Sequence, residues 1–286
     1  MKKELYKKKI DPRTFAQISS LFKQNGWSLD TENPLSLFNR FCERLSILEN
    51  EEQQLVIELS KRFQIIVQQE YLKLFLDIFR FNENIRKSKI TVSKKIYICP
   101  LISKNDIGKT KSSSFLWYYI KSTESKYNPI MNSKTFFFEE STSKLVQKVN
   151  DNDEAILLLV DDYIGSGETA ESAVTYCVEQ GINKEKIIIL VLAAQKKAIE
   201  LLELFGVSVY TNKILLRGIN DFYKEEDLLK VIGIMQSIEK KLNVSCDFQF
   251  GYKQSEALIS LNRTPNNTFP VFWMENKGCN IAPFPR

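Results

Sequence analysis

The chain has 286 residues, 43% of them hydrophobic, with 40 Lys and Arg against 35 Asp and Glu and no histidine. At roughly 150 residues per domain, this length predicts two units or one elaborated domain, and no apolar run approaches the roughly 20 residues that span a bilayer. Without histidine, imidazole-bound zinc, Ser-His-Asp triads and imidazole acid/base chemistry are excluded. Any catalysis must use carboxylates, lysines, tyrosines, hydroxyls and a ligand-borne metal.

The N-terminal stretch MKKELYKKKI is positively charged but has no apolar core, so it does not read as a secretory signal. Met1 to Lys9 reads as a frayed lysine-rich arm, with nucleic-acid contact the alternative. Five scattered cysteines, Cys42, Cys99, Cys177, Cys246 and Cys279, form no CxxC pair. Cys99 and Cys177 sit in apolar or helical contexts and read as reduced core residues. Together these features predict a cytoplasmic protein with no membrane segment.

Asp11-Pro12 reads as a helix cap followed by proline in the first turn, with the helix ending near Gly26. Asn33-Pro34 opens a second helix carrying Leu35, Phe38, Phe41, Leu45 and Leu48 at helical spacing. Glu51 to Phe81 reads as one long amphipathic helix with Phe63, Ile66, Val67, Tyr71, Leu74, Phe75, Ile78 and Phe79 on its apolar face. Residues 1–85 therefore read as a helical region without recognisable chemistry, and residues 86–286 as a separate α/β domain with a C-terminal cap.

From Lys95 the pattern changes. Lys95–Ile102 reads as a strand, and SKNDIGKTKSSS (Ser103–Ser114) as a glycine- and lysine-bearing loop before a helix from Phe115 to Lys121. Arg86 to Lys121 holds nine basic residues against one acid. Such a run is either a solvated basic face or a phosphate surface. Further strands are expected at Thr135–Glu140, Lys186–Ala194 and Val207–Leu215, with a helix at Ser141–Val149 and others at Lys196–Phe205 and Glu225–Leu242. Alternation of strands and helices at this spacing predicts βαβ units and a parallel sheet. Ala257–Leu261 reads as a last strand and RTPNNTFP (Arg263–Pro270) as a turn-rich loop closed by Trp273.

The densest stretch lies within this alternation: EAILLLVDDYIGSGETAESA, Glu154 to Ala173. Ala155–Val160 is apolar throughout, as in a strand buried on both faces. Asp161 and Asp162 follow, then a turn from Tyr163 to Thr169. A Gly/Ser/Thr turn between strand and helix exposes backbone N–H groups where a phosphate would sit. Two adjacent aspartates repel each other, so an ordinary turn leaves them unexplained.

These residues resemble the phosphoribosyl-pyrophosphate (PRPP) motif of type I phosphoribosyltransferases. The resemblance implies an α/β fold with a parallel-sheet core of that type, an N-terminal helical region and a C-terminal strand/loop cap. It implies that Asp161 and Asp162 form the catalytic acidic pair on the ribose hydroxyls. Ile164, Gly165, Ser166, Gly167, Glu168 and Thr169 would hold the 5′-phosphate. Lys104, Lys109 and Lys111, with Gly108, Thr110 and Ser112, would hold the pyrophosphate, and Mg²⁺ would come with the ligand. No metal site of the protein's own is implied. The NRTPNNTFPVFW ending beside this motif is similar to conflict-associated, phosphoribosyltransferase-like proteins of bacterial defence loci, which implies a defence-system protein partner.

Three departures from the enzymes stand out. Gly165 replaces an aspartate that 6-oxopurine enzymes carry. Glu140 leads almost directly into a helix, leaving little room for a lid. Glu168 places an acid in the phosphate loop. Three functions stay open: phosphoribosyl transfer or N-glycosidic cleavage, non-catalytic sensing of PRPP or a nucleotide with a protein partner, and nucleic-acid binding through the basic face.

Overall fold

The computed structural model describes residues 9–81, 83–86, 88–109, 111–121, 127, 132–275 and 281–286. It divides into two compact units, Met1–Ile66 with Leu216–Arg286, and Val67–Leu215. The packing thus divides the chain differently from a boundary near residue 85. The chain leaves its first unit, builds a second and returns.

The first unit opens with α1 (Pro12–Gln24). Asp11 caps it by accepting from the N–H groups of Arg13 and Thr14 at 2.8 and 3.0 Å, satisfying donors that the helix cannot. Ser36, rather than Asn33-Pro34, caps α2 (Leu37–Ser46). A reciprocal Glu49/Glu52 capping box starts α3 (Asn50–Ser60).

The long helix expected from Glu51 to Phe81 is not formed. It stops at Ser60, and Gln64–Ile65 forms a short strand, β1, parallel to residues 259–260. Gln64 and Ile66 donate to the carbonyls of Leu258 and Ser260, both at 2.9 Å. Helical periodicity cannot detect such a long-range pairing, and the pairing overrides it. The helix resumes as α4 (Tyr71–Phe81) in the second unit.

That unit is a five-stranded parallel sheet: β2 (Lys95–Pro100), β3 (Thr135–Phe138), β4 (Ala155–Ile164), β5 (Ile187–Gln195) and β6 (Ser208–Leu215). The spatial order is β3-β2-β4-β5-β6. Counted within the sheet this is 2-1-3-4-5, a doubly wound order that reverses direction between β2 and β4. Its helices are α5 (Ser112–Ile120), α6 (Glu168–Glu179) and α7 (Lys196–Leu204). A short turn at Thr142–Lys144 and a helix at Val146–Asn150 replace the single helix expected at Ser141–Val149. Leu157, Leu159, Ile189 and Val191 of the central strands pack with Ala170, Val174 and Cys177 of α6 and Ala198 and Leu202 of α7. Cys99 and Cys177 are buried free thiols, whose ionisation burial pushes upward.

The chain then returns through α8 (Glu225–Lys241) to β7 (Ile259–Ser260) and a short helix, Pro270–Trp273. Phe272 packs against Phe63, and Phe63 stacks on Phe284 with centroids 4.4 Å apart. Buried Arg44 donates to the carbonyls of Met274 and Ile281. The tail is therefore core of the first unit, which explains its aromatic content. Among the described residues no helix is long and apolar enough to cross a membrane.

Candidate functional site

In open parallel sheets, ligands bind beyond the carboxyl ends of the strands where the order reverses. Here that point lies between β2 and β4. The segment after β2 leads to α5, and the one after β4 leads to α6. Both sequence-predicted loops therefore flank the reversal.

The strand carrying the acidic pair runs further than expected. Asp161 and Asp162 lie within β4, paired with β5 as far as Ile164–Ala194. The turn shrinks to residues 165–167, and α6 begins at Glu168. Gly167 precedes it with φ 90°, a left-handed conformation that side chains resist. Among the described residues no side chain caps α6, and Glu168 and Glu171 place two acids in its first turn. Gly167 is buried, Gly165 and Ser166 are half-buried, and Glu168 and Thr169 are exposed.

Both carboxylates are buried, Asp161 to 9% exposure and Asp162 to 7%. Asp161 Oδ1 accepts from Ser112 Oγ at 3.0 Å and from the Asp162 N–H at 2.8 Å. Asp162 Oδ2 accepts from the Tyr71 hydroxyl at 3.1 Å. Burial, and then the neighbouring Asp162, push the Asp161 carboxyl well above the usual range. The pair is a concentrated acceptor site held by hydroxyls and a backbone N–H.

The structure redistributes the lysine loop. Lys109 and Lys111 both pair with Asp106 at 3.0 Å, and Lys104 pairs with Glu179 at 3.0 Å. The contacts from Lys109 first, then Lys111 and the Ser103 hydroxyl, bring Asp106 down to about 2. The lysine heads are largely exposed, and such pairs are worth roughly 0–1 kcal/mol, so an incoming polyanion can replace them. Ser112, expected on pyrophosphate, sits in the first turn of α5 with its hydroxyl on Asp161. Thr110 lies outside the described residues.

Sequence reasoning missed three participants. Tyr71 lies in the stretch that reads as a helical region without chemistry, 91 residues from the aspartate it touches. Gln195, at the end of β5, is 2% exposed, and among the described residues neither polar atom of its amide has a hydrogen-bond partner. The buried Tyr163 hydroxyl on β4 is likewise unpaired. Burial raises the Tyr163 phenol's pKa, and the nearby Gln195 amide opposes that rise without a bond of regular geometry. No local pattern marks these residues, because their surroundings exist only once the helix carrying Tyr71 and the strands carrying Tyr163 and Gln195 have packed.

A family model described as PRTase-CE matches residues 39–286. No curated protein matches. Among solved structures, the chain is similar to orotate phosphoribosyltransferase from Aeropyrum pernix. The two share 14% identity at a TM-score of 0.28, over 61% of this chain and 75% of that one. A hypothetical protein from Neisseria gonorrhoeae with bound ppGpp matches at 11% identity and TM-score 0.30, over 61% of this chain and 97% of that one. The AQ2163 protein from Aquifex aeolicus matches at 10% identity and TM-score 0.30, over 84% and 98%. With the family model spanning most of its length, the chain belongs to the PRTase-CE family and is a phosphoribosyltransferase-like α/β protein.

Proposed function

We propose that the Val67–Leu215 unit binds PRPP or a nucleotide through its ribose and 5′-phosphate. One observation carries this reading. Two buried, adjacent carboxylates on β4 stand at the sheet's reversal point, six residues before the first residue of a helix that no side chain caps. Asp161 and Asp162 would accept hydrogen bonds from the ribose hydroxyls. Ile164, Gly165, Ser166, Gly167, Glu168 and Thr169 would line the 5′-phosphate, with backbone N–H groups and the Ser166 and Thr169 hydroxyls as donors. Lys104, Lys109 and Lys111 would turn from their acidic partners to the pyrophosphate.

Among the described residues no cluster of three or more His, Cys, Asp or Glu side chains forms a metal cage. The buried acidic pair nevertheless fits a cation that arrives with the ligand. Mg²⁺ so bound would offset charge on the pyrophosphate, with Asp161 and Asp162 as the protein's contribution to holding it. If the site is catalytic, the chain positions ribose and phosphate while the bond at the anomeric carbon breaks. The outcome is phosphoribosyl transfer or N-glycosidic cleavage.

The second reading, a non-catalytic sensor, is favoured by the connection after β3. Residues 139–145 hold only a tight turn before the Val146–Asn150 helix, so this stretch supplies no lid to exclude water. In either reading, the likeness to conflict-associated proteins suggests a bacterial defence role in the cytoplasm with a protein partner.

The decisive test is titration of the protein with PRPP, with and without Mg²⁺, and with ribose 5-phosphate, followed by assay of turnover in the same samples. Asp161→Asn combined with Asp162→Asn is expected to abolish binding while the protein stays folded. Its melting temperature at neutral pH should rise, because burial disfavours the Asp161 anion. Unchanged affinity would end the assignment. Replacing Lys104, Lys109 and Lys111 by alanine should weaken PRPP more than ribose 5-phosphate. Equal losses would reduce this loop to a general basic surface.

A further inference from the structure

We infer that Tyr71, with Ser112, is a positioning residue that sets the acidic pair for a vicinal diol. The proposal rests on the ribose-binding reading and assigns it a helix outside the recognised motif. Asp161 and Asp162 are adjacent buried carboxyls, and a fixed geometry for the pair depends on the donors that hold their oxygens. The Tyr71 hydroxyl fixes Oδ2 of Asp162. Ser112 Oγ and the Asp162 N–H fix Oδ1 of Asp161. One oxygen of each carboxyl is thereby tied down by a protein donor. Two acceptors on adjacent carboxylates suit two adjacent hydroxyls better than a lone hydroxyl or a phosphate.

The two donors are also coupled. Tyr71 is fully buried and starts α4, while Ser112 starts α5. The Tyr71 ring meets Phe115, three residues beyond Ser112, edge to face at 6.1 Å. That contact holds both hydroxyl donors in one packed arrangement. A phenol carries its hydroxyl on a rigid ring, so little freedom is lost in keeping it aimed. A buried tyrosine needs a partner for its hydroxyl, and here a carboxylate of the candidate site supplies it.

The test compares two ligands that share a phosphate and differ in the diol: ribose 5-phosphate and 3-hydroxypropyl phosphate. Tyr71→Phe keeps the ring and its contact with Phe115. It should weaken ribose 5-phosphate roughly tenfold or more, the effect of losing a hydrogen bond to a charged group. Affinity for 3-hydroxypropyl phosphate should stay within about twofold. Ser112→Ala should show the same selective loss, and Ser112→Thr, which keeps the hydroxyl, should restore diol affinity. Isotope-edited infrared spectra of the ligand-free protein should show an aspartate carboxylate band shifted in Tyr71→Phe. Equal losses for both ligands would make Tyr71 a packing residue and overturn its positioning role. So would an unmoved carboxylate band, or failure of threonine to rescue. If the unsubstituted protein binds 3-hydroxypropyl phosphate as well as it binds ribose 5-phosphate, or binds neither, the ribose reading falls and this role falls with it.

Discussion

Gly167→Val is expected to eliminate binding of ribose 5-phosphate and to lower the stability of the second unit by about 2 kcal/mol. Gly167 has φ 90° and ψ −15° at the entry to α6. A β-branched residue is a severe outlier there. Space alone is not the obstacle, since a Cβ at this position would sit 3.6 Å from Ala198 Cβ, an ordinary contact. The γ-methyl groups would reach beyond that contact toward α7. The chain would relieve the strain by changing φ, and that would rotate the N–H groups at the start of α6 away from a phosphate. Gly167→Ala, which adds the Cβ alone, should cost about 1 kcal/mol and weaken binding less. Gly233 supplies the control. It lies inside α8 with nothing within 4 Å of an added Cβ, so alanine should stabilise by about 0.5–1 kcal/mol. Calorimetry with ribose 5-phosphate and thermal melts of the three variants measure both effects. Unaltered phosphate affinity in Gly167→Val would show that the residue 164–169 loop is not the phosphate site.

The first unit carries a large expected pH effect of its own, at Glu239 on α8. Its Oε1 accepts from the Phe250 N–H at 2.7 Å, while Oε2 is buried and has no hydrogen-bond partner among the described residues. Burial raises this carboxyl from 4.5 to about 7. The folded state therefore holds the proton over a range in which the unfolded chain has released it. Folding stability is full below pH 4.5, falls as the pH rises toward about 7, and is level above that. A shift of this size corresponds to about 3 kcal/mol. Glu239→Gln keeps an acceptor for Phe250 and cannot ionise. It should raise the melting temperature by several degrees at pH 8 and change it little at pH 4.5. An equal shift at both pH values would mean that packing, rather than ionisation, distinguishes the two side chains. The substitution lies in the other compact unit from the β4 aspartates, so intrinsic ligand affinity should be unchanged.

Local chemistry was enough to reveal the α/β core. Ala155–Val160 and Ile187–Ala194 have no polar face, which only a strand covered on both sides can accept, and both are central strands. The run Asp161-Asp162 followed by Gly165, Ser166 and Gly167 likewise announced a strand, a turn and a helix start in the right order. These features are local because they depend on backbone conformation and on adjacent side chains. Tertiary structure decided the rest. Periodicity joined Glu51 to Phe81 into one helix, because Phe63, Ile66 and Tyr71 are apolar at compatible spacing. Pairing of Gln64–Ile65 with Ile259–Ser260 broke that helix and gave Tyr71 to the second unit. Composition counted Lys109 and Lys111 as excess charge, but the turn at Lys104–Asp106 brought Asp106 to both. The aspartates were legible at positions 161 and 162, whereas their burial and the hydroxyls of Tyr71 and Ser112 were not. A hydrogen bond between residues 91 positions apart leaves no trace in local pattern, because it exists only once the sheet and its helices have closed around the site.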